Sequence, residues 1–151
     1  MNFKLREMTE ADLIVALQWR NDPKVLKTAM TPNPISYKEY EAMLLYNNAI
    51  KLIFEVDGIP AGNIQISRDP DKPTGEWSFH LSKDYRGKGL SMIMLSAALY
   101  YLASKEGYEE VTAKVKFDNE ISKEIHNKLG FEFLGYDKDN NLDFKKKLCT
   151  N

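Results

Sequence analysis

The sequence predicts a single α/β (α+β) domain with helices packed on a mixed central sheet, and three observations predict it. Apolar residues switch between period 2 and period 3.6 along the chain, turn signals separate those segments at short intervals, and a mid-chain strand runs through a glycine loop directly into a long helix. The resulting order is βααβββαβαββ, with about four helices flanking the sheet. A chain of 151 residues, 43% hydrophobic and with a net charge of -1, has the size of one domain and too much apolar content to stay disordered. We therefore expect residues 1–151 to form one unit.

Each element has a local reason. Phe3 to Met8 alternates apolar and polar and reads as a short strand. Thr9 with Asp12 resembles a capping box opening a helix with Leu13, Ala16, Leu17 and Arg20 along one side, and Asn21-Asp22-Pro23 is expected to end it. Thr31-Pro32-Asn33-Pro34 is a loop, after which Ser36 and Glu39 cap a second helix through Tyr40, Met43, Leu44 and Asn47. Lys51 to Ser67 is a hairpin turning at Asp57-Gly58. Asp69 to Gly75 is a turn region, and Glu76 to Ser82 alternates again. From Leu90 the period becomes helical through Ile93, Met94, Ala97, Ala98, Tyr101 and Leu102, and Gly107 ends the run. Val111 to Lys116 is a strand with Val111, Ala113 and Val115 on one face. Asn119 to Leu129 is helical and stops at Gly130, and Phe131 to Tyr136 with Leu142 to Leu148 closes the fold around Asp139-Asn140-Asn141. All six prolines precede Thr74, so the second half should carry the longer elements.

The charge balance, 21 Lys and Arg against 22 Asp and Glu, argues against a strongly basic nucleic-acid or membrane binder. The lone cysteine, Cys149, allows no intrachain disulfide and no cysteine zinc cluster, and no metal site is expected. The N-terminal segment lacks a signal-peptide core, and no apolar run approaches the ~20 residues that span a bilayer. The expectation is a cytoplasmic protein, monomeric or homodimeric.

The most informative segment is Tyr85-Arg86-Gly87-Lys88-Gly89-Leu90-Ser91. It joins a strand to a helix whose first turn offers unpaired N–H groups and the positive end of the helix dipole. Glycines let that backbone approach a phosphate or pyrophosphate closely, and Arg86 and Lys88 add positive charge. The loop is neither a Walker motif nor a GxGxxG fingerprint. By itself it is equally well a tight turn with solvated charges.

Taken together, the strand, this loop, the long helix, the next strand and the segment from Asn119 through Ser122, Ile125, His126, Lys128 and Gly130-Phe131 resemble the GNAT superfamily of acyl-CoA N-acyltransferases. The resemblance covers nearly the whole chain. It implies acetyl-CoA as acyl donor, with its pyrophosphate on the backbone of Arg86, Gly87, Lys88, Gly89, Leu90 and Ser91, its pantetheine arm along the preceding strand, and Asn119 against the pantetheine amides. It also implies a backbone N–H near Leu81 as oxyanion donor. Asp84 stands where the family has Gln or Arg. His126 stands where it usually has the tyrosine that protonates the departing thiolate, so the leaving-group acid is open between His126 and none.

Acetyl transfer needs a neutral amine, although alkyl ammonium groups have pKa values near ~10, so some group must accept a proton. Period-2 geometry puts Trp77, Phe79 and Leu81 on one face of their strand and Glu76, Ser78 and His80 on the other, unless a bulge re-aims them. Glu76 is the first candidate for general base, through a water, and His80 the second; a solvated strand charge and a structural histidine are the alternative readings. Tyr100 and Tyr101 are read as packing residues. Trp19-Arg20-Asn21 resembles a segment of two subgroups, one acetylating ribosomal-protein N-termini and the other the 4-amino group of a UDP-linked amino-dideoxy sugar. Trp19 would stack on a ring and Arg20 would meet a phosphate; otherwise Trp19 is core and Arg20 a helix-end charge. A small amine acceptor, with a nucleotide sugar as best guess, is the expected partner. An acyl-CoA-binding module without turnover is the non-enzymatic alternative.

Overall fold

The computed structural model describes residues 1–148, so Cys149 lies outside the described residues. Within them the elements run β1 (Phe3–Glu7), α1 (Leu13–Arg20), α2 (Pro23–Thr28), α3 (Tyr37–Tyr46), β2 (Ile50–Val56), β3 (Ile59–Arg68), β4 (Thr74–Leu81), α4 (Leu90–Ser104), β5 (Glu110–Val115), α5 (Glu120–Lys128), β6 (Glu132–Tyr136) and β7 (Leu142–Lys147). The strands form one sheet in the order β1-β2-β3-β4-β5-β7-β6. Every neighbouring pair is antiparallel except β4 and β5, which α4 connects as a crossover.

Local chemistry fixes the element ends. Asp57 and Gly58 both take positive φ, at 51° and 81°, as a two-residue primed hairpin turn requires. The Thr9–Asp12 box is present, with the Asp12 carboxylate accepting from the Thr9 backbone N–H at 2.7 Å, but it opens a 3₁₀ turn that leads into α1. Buried Asp12 is also held bidentately by Arg6, whose guanidinium keeps its carboxyl at about 2. Ser36 Oγ accepts from the Glu39 N–H and caps α3.

The expected stop at Asn21-Asp22-Pro23 ends α1 and immediately starts another helix, α2, so five α-helices replace the expected four. Proline at the first helical position has no N–H to lose and a φ already set for the helix, and Asp22 caps it by accepting from Lys24 N–H at 2.9 Å. The buried seam of α4 is Leu90, Met94, Leu95, Ala98 and Leu102; Ile93, expected on that face, is 38% exposed, and Tyr100 points to solvent.

Two apolar clusters cover the two faces of the sheet. The larger joins Leu52, Phe54, Ile64, Ile66, Trp77, Val111, Ala113, Val115 and Phe144 with the seam of α4. The smaller packs Leu13, Ala16 and Trp19 of α1 and Tyr40 and Leu44 of α3 over Ile53. β4 is unbulged against β3, so its alternation holds as expected: Trp77 and Leu81 are buried, Phe79 is partly buried, and Glu76 and Ser78 are exposed on the opposite face.

Candidate active site

Parallel pairing of β4 with β5 covers only Thr74↔Glu110 to Trp77↔Ala113, while β4 runs on to Leu81 and β5 to Val115. The two strands therefore part company in the middle of the sheet, and their diverging backbone edges have no ladder to each other. β4 ends in a 3₁₀ turn at Lys83–Tyr85, and the chain then passes through Gly87 and Gly89 to the N-terminus of α4. Gly87 and Gly89 have φ of +75° and +73°, which L side chains rarely adopt, and a Cβ on either would meet no protein atom within 4 Å. The glycines are thus needed for backbone shape, and the space beside them is open. Gly89 is the N-cap of α4 and supplies no side-chain acceptor to the first-turn amides. Buried Leu90 anchors that turn in the core. This cradle fits a pyrophosphate: exposed N–H groups at a helix start, open space above them, and Lys88 nearby. Lys88 Nζ rests on Asp84 O at 3.3 Å and above the Tyr85 ring.

The Arg86 side chain is directed elsewhere. Its Nε donates to Leu81 O at 3.1 Å and its Nη2 to the Asp22 carboxylate at 3.3 Å. Only its backbone belongs to the loop.

His126, the candidate leaving-group acid, does not face the gap as an accessible side chain. It is 1% exposed, and its ring lies among Trp77, Phe79, Phe131 and Phe144, stacked on Phe144 with centroids 5.5 Å apart. Nδ1 lies 2.7 Å from Ser122 O and Nε2 lies 3.0 Å from Trp77 Nε1. An indole nitrogen can only donate and a carbonyl can only accept, so the network assigns Nδ1 the proton and makes Nε2 the acceptor. Burial pushes the pKa of the ring down. In this arrangement His126 is almost fully buried, and the one proton of its neutral ring is donated to Ser122 O. Asn119 caps α5, its Oδ1 accepting from Ser122 N–H at 3.1 Å.

On the opposite face, Glu76 is exposed one residue before β4 and β5 separate, in a cleft of about 410 Å³ that it lines with Arg68, Asp69, Lys72, Glu110 and Thr112. His80 lies beyond the separation and opposite Asn63 of β3. His80 Nδ1 and Asn63 Oδ1 are both enclosed without a hydrogen-bond partner among the described residues. Burial, helped by the charges of Arg20 and Arg86, lowers the His80 imidazole to about 4. His80 is therefore neutral at neutral pH and weakly basic.

The Trp19–Asp22 segment acts as a hub. Trp19 is 6% exposed inside the α1–α3 cluster, so its ring face is taken by packing instead of being open for stacking. Arg20 donates to Asn33 O and Thr31 Oγ1 at 3.4 and 3.3 Å. Asn21 exchanges a pair of hydrogen bonds with the Ile35 backbone. The ion pair of Asp22 and the placement of Asn63 have no local signal: Arg86, the partner of Asp22, lies 64 residues away, and Asn63 faces His80 across the β3–β4 ladder.

This architecture has known counterparts. The family model for the acetyltransferase (GNAT) domain matches residues 2–132. Among solved structures, a domain from Methanocaldococcus jannaschii DSM 2661 superimposes with a TM-score of 0.85 at 19% identity, covering 97% of this chain and 99% of its own. A ribosomal-protein-alanine N-acetyltransferase from Brucella melitensis gives 0.80 at 21%, covering 96% and 99%. A putative acetyltransferase from Salmonella typhimurium, solved with acetyl-CoA, gives 0.75 at 20%, covering 100% and 96%. A search of curated protein sequences returned no match. The parted strands, the glycine cradle and the family match together define the class: the chain belongs to the GNAT family of N-acetyltransferases. It is an enzyme of that family.

Proposed function

We propose that the chain transfers an acetyl group from acetyl-CoA to the 4-amino group of a UDP-linked amino-dideoxy sugar. The observation that carries this reading is Arg20: its guanidinium sits at the His80 side of β4, and both of its hydrogen bonds go to neutral oxygens. Its charge is therefore available to a phosphate of the acceptor. Use of acetyl-CoA also suits a cytoplasmic enzyme.

The donor's role is to present an activated thioester. The backbone of residues 86–91, with Lys88 beside it, holds the pyrophosphate, and the free edge of β4 takes the pantetheine arm. The amine nitrogen attacks the thioester carbonyl, the C–N bond forms, and the C–S bond breaks with its electron pair going to sulfur. Glu76 accepts the proton from nitrogen through water, being exposed beside the point where β4 and β5 separate. The Leu81 N–H stabilises the oxyanion. A thiol has a pKa near ~8.5, so the thiolate leaves without a side-chain acid. His126 instead fixes Trp77, and His80 Nδ1 is enclosed where Glu76 is open to water, so Glu76 is the better placed of the two for this proton.

A second reading has its own observation. The cleft around Glu76 also carries Asp69 and Glu110 beside Arg68 and Lys72, three carboxylates against two cations, and the carboxylates offer partners for the α-ammonium group of a peptide N-terminus. Calorimetric titration with acetyl-CoA, followed by thiol release with a UDP-4-amino-dideoxy sugar or with ribosomal-protein N-terminal peptides, tests both. We expect micromolar donor binding and turnover with the sugar. Turnover with peptides alone would replace the acceptor, and binding without any turnover would indicate an acyl-CoA-binding module.

A further inference from the structure

Helix α2 has no buried residue, so core packing does not hold it in place. It is tied by polar contacts at both ends. At its N-terminus, one carboxylate does two jobs: Asp22 Oδ1 caps the helix through Lys24 N–H, and Asp22 Oδ2 receives Arg86 from the end of β4. At its C-terminus, Lys27 O accepts from Lys116 Nζ at 3.2 Å, just past the end of β5. Six helical residues span about 9 Å. The helix thus reaches from the β4 rim to the β5 rim of the gap between those strands. Arg86 is also the residue before Gly87, so its backbone is part of the donor cradle while its guanidinium is bound to the acceptor side.

We infer that α2 is a strap positioning the acceptor side of the gap, and that the Arg86–Asp22 ion pair is the contact through which the glycine loop sets it. The transmission path is short. Fixing the backbone at residues 86–91 fixes the base of the Arg86 side chain, which is pinned at Leu81 O. That holds Asp22, and Arg20 and Asn21, next in the chain, hold residues 31–35. Arg86 and Asp22 are positioning residues: neither side chain need touch the donor. Bound donor therefore orders the acceptor wall, and the acceptor should bind better to the donor complex than to the free enzyme. The kinetic half of this inference rests on the proposed acceptor; the structural half does not.

The test is amide hydrogen exchange of the full chain with and without saturating acetyl-CoA, for the wild type and for Asp22→Asn, Arg86→Gln, Arg86→Lys and the double variant Asp22→Asn/Arg86→Gln. Asparagine is as good an N-cap as aspartate, so Asp22→Asn keeps α2 capped and removes only the charge. In the wild type, acetyl-CoA is expected to slow exchange several-fold at residues 86–91 and also at residues 22–36. In Asp22→Asn and Arg86→Gln, protection at 86–91 should remain while that at 22–36 is lost. The double variant should be no worse than either single one, and Arg86→Lys should recover part of the response. With the UDP-amino sugar, both single variants should raise the acceptor KM about 5- to 20-fold and leave the acetyl-CoA KM within twofold. Protection at 86–91 without any at 22–36 in the wild type would refute the coupling alone. A response surviving both variants would refute the ion pair as its route. A large loss of acetyl-CoA affinity in Arg86→Gln, with Asp22→Asn silent, would make Arg86 a phosphate ligand and overturn the inference. No protection at 86–91 would remove donor binding itself and the coupling with it.

Discussion

At the scale of single residues, the site separates groups that do chemistry from groups that hold it. Glu76→Gln keeps size and removes the proposed proton acceptor, so kcat should fall about 100-fold or more with the acetyl-CoA KM unchanged. Loss of the acidic limb of the pH–rate profile would accompany it, and an unaltered profile would reject Glu76 as base. His126→Phe preserves an aromatic ring in the cluster but leaves the Trp77 indole N–H buried and unpaired, a cost of about 1–3 kcal/mol. For a domain of this size that is a drop in melting temperature of roughly 3–10 °C. Turnover per folded molecule should keep its pH dependence; a lost basic limb would return His126 to acid catalysis. The burial of His126 has no local signal, because Lys123, Glu124, Asn127 and Lys128 surround it in the chain and its deciding partner, Trp77, is 49 residues away. Arg86 misleads in the same manner, because in sequence its neighbours are the phosphate loop and in space its partner is Asp22.

At the scale of elements, the parts readable from sequence were those set by contacts within a few residues. The Asp57-Gly58 turn, the Ser36 cap, the alternation of β4 and the glycine loop all belong here, since each depends on backbone geometry or a bond spanning two or three positions. Helix α2 was not readable, because a proline after a helix serves equally as a stop and as the first residue of the next one. Strand order was not readable either: placing β7 between β5 and β6 depends on pairings such as Ala113↔Phe144, which no local pattern encodes. The cradle offers the clearest prediction. Gly89→Val forces a β-branched residue to φ +73°, costing about 1–3 kcal/mol if the turn is kept and destroying the cradle if it relaxes. Acetyl-CoA binding by calorimetry should disappear while the far-ultraviolet dichroism of the sheet and helices remains; normal affinity would show the loop to be only a turn.

At the scale of the whole molecule, the two histidines make stability depend on pH. Both are held below the ordinary imidazole value in the folded state, His80 at about 4, so between pH 6.5 and about 4 the unfolded chain binds more protons than the folded one. Their contribution is complete above pH 6.5 and is lost as pH falls, by up to about 1.4 kcal/mol per pH unit for each ring. The depressed carboxyls Asp12, Asp22 and Asp137 act in a lower window, beneath their ordinary value of 3.8. Urea midpoints should thus decline from pH 6.5 downward, and less steeply in His126→Phe; a flat profile would contradict the buried neutral rings. Acetyl-CoA at one hundred times its Kd should add about 2.7 kcal/mol. The β4–β5 junction has a further consequence for assembly. Four residue pairs, the hydrogen bonds from Trp77 to His126, Thr112 to Gly75 and Lys116 to Lys27, and the larger apolar cluster join a first part carrying β1 to β4 with α4 to a second carrying β5, α5, β6 and β7. The turn at residues 105–109 is the natural place to cut the chain between them. Two separately expressed pieces would meet along the seam proposed to take the donor, and on that proposal acetyl-CoA should promote their reassembly.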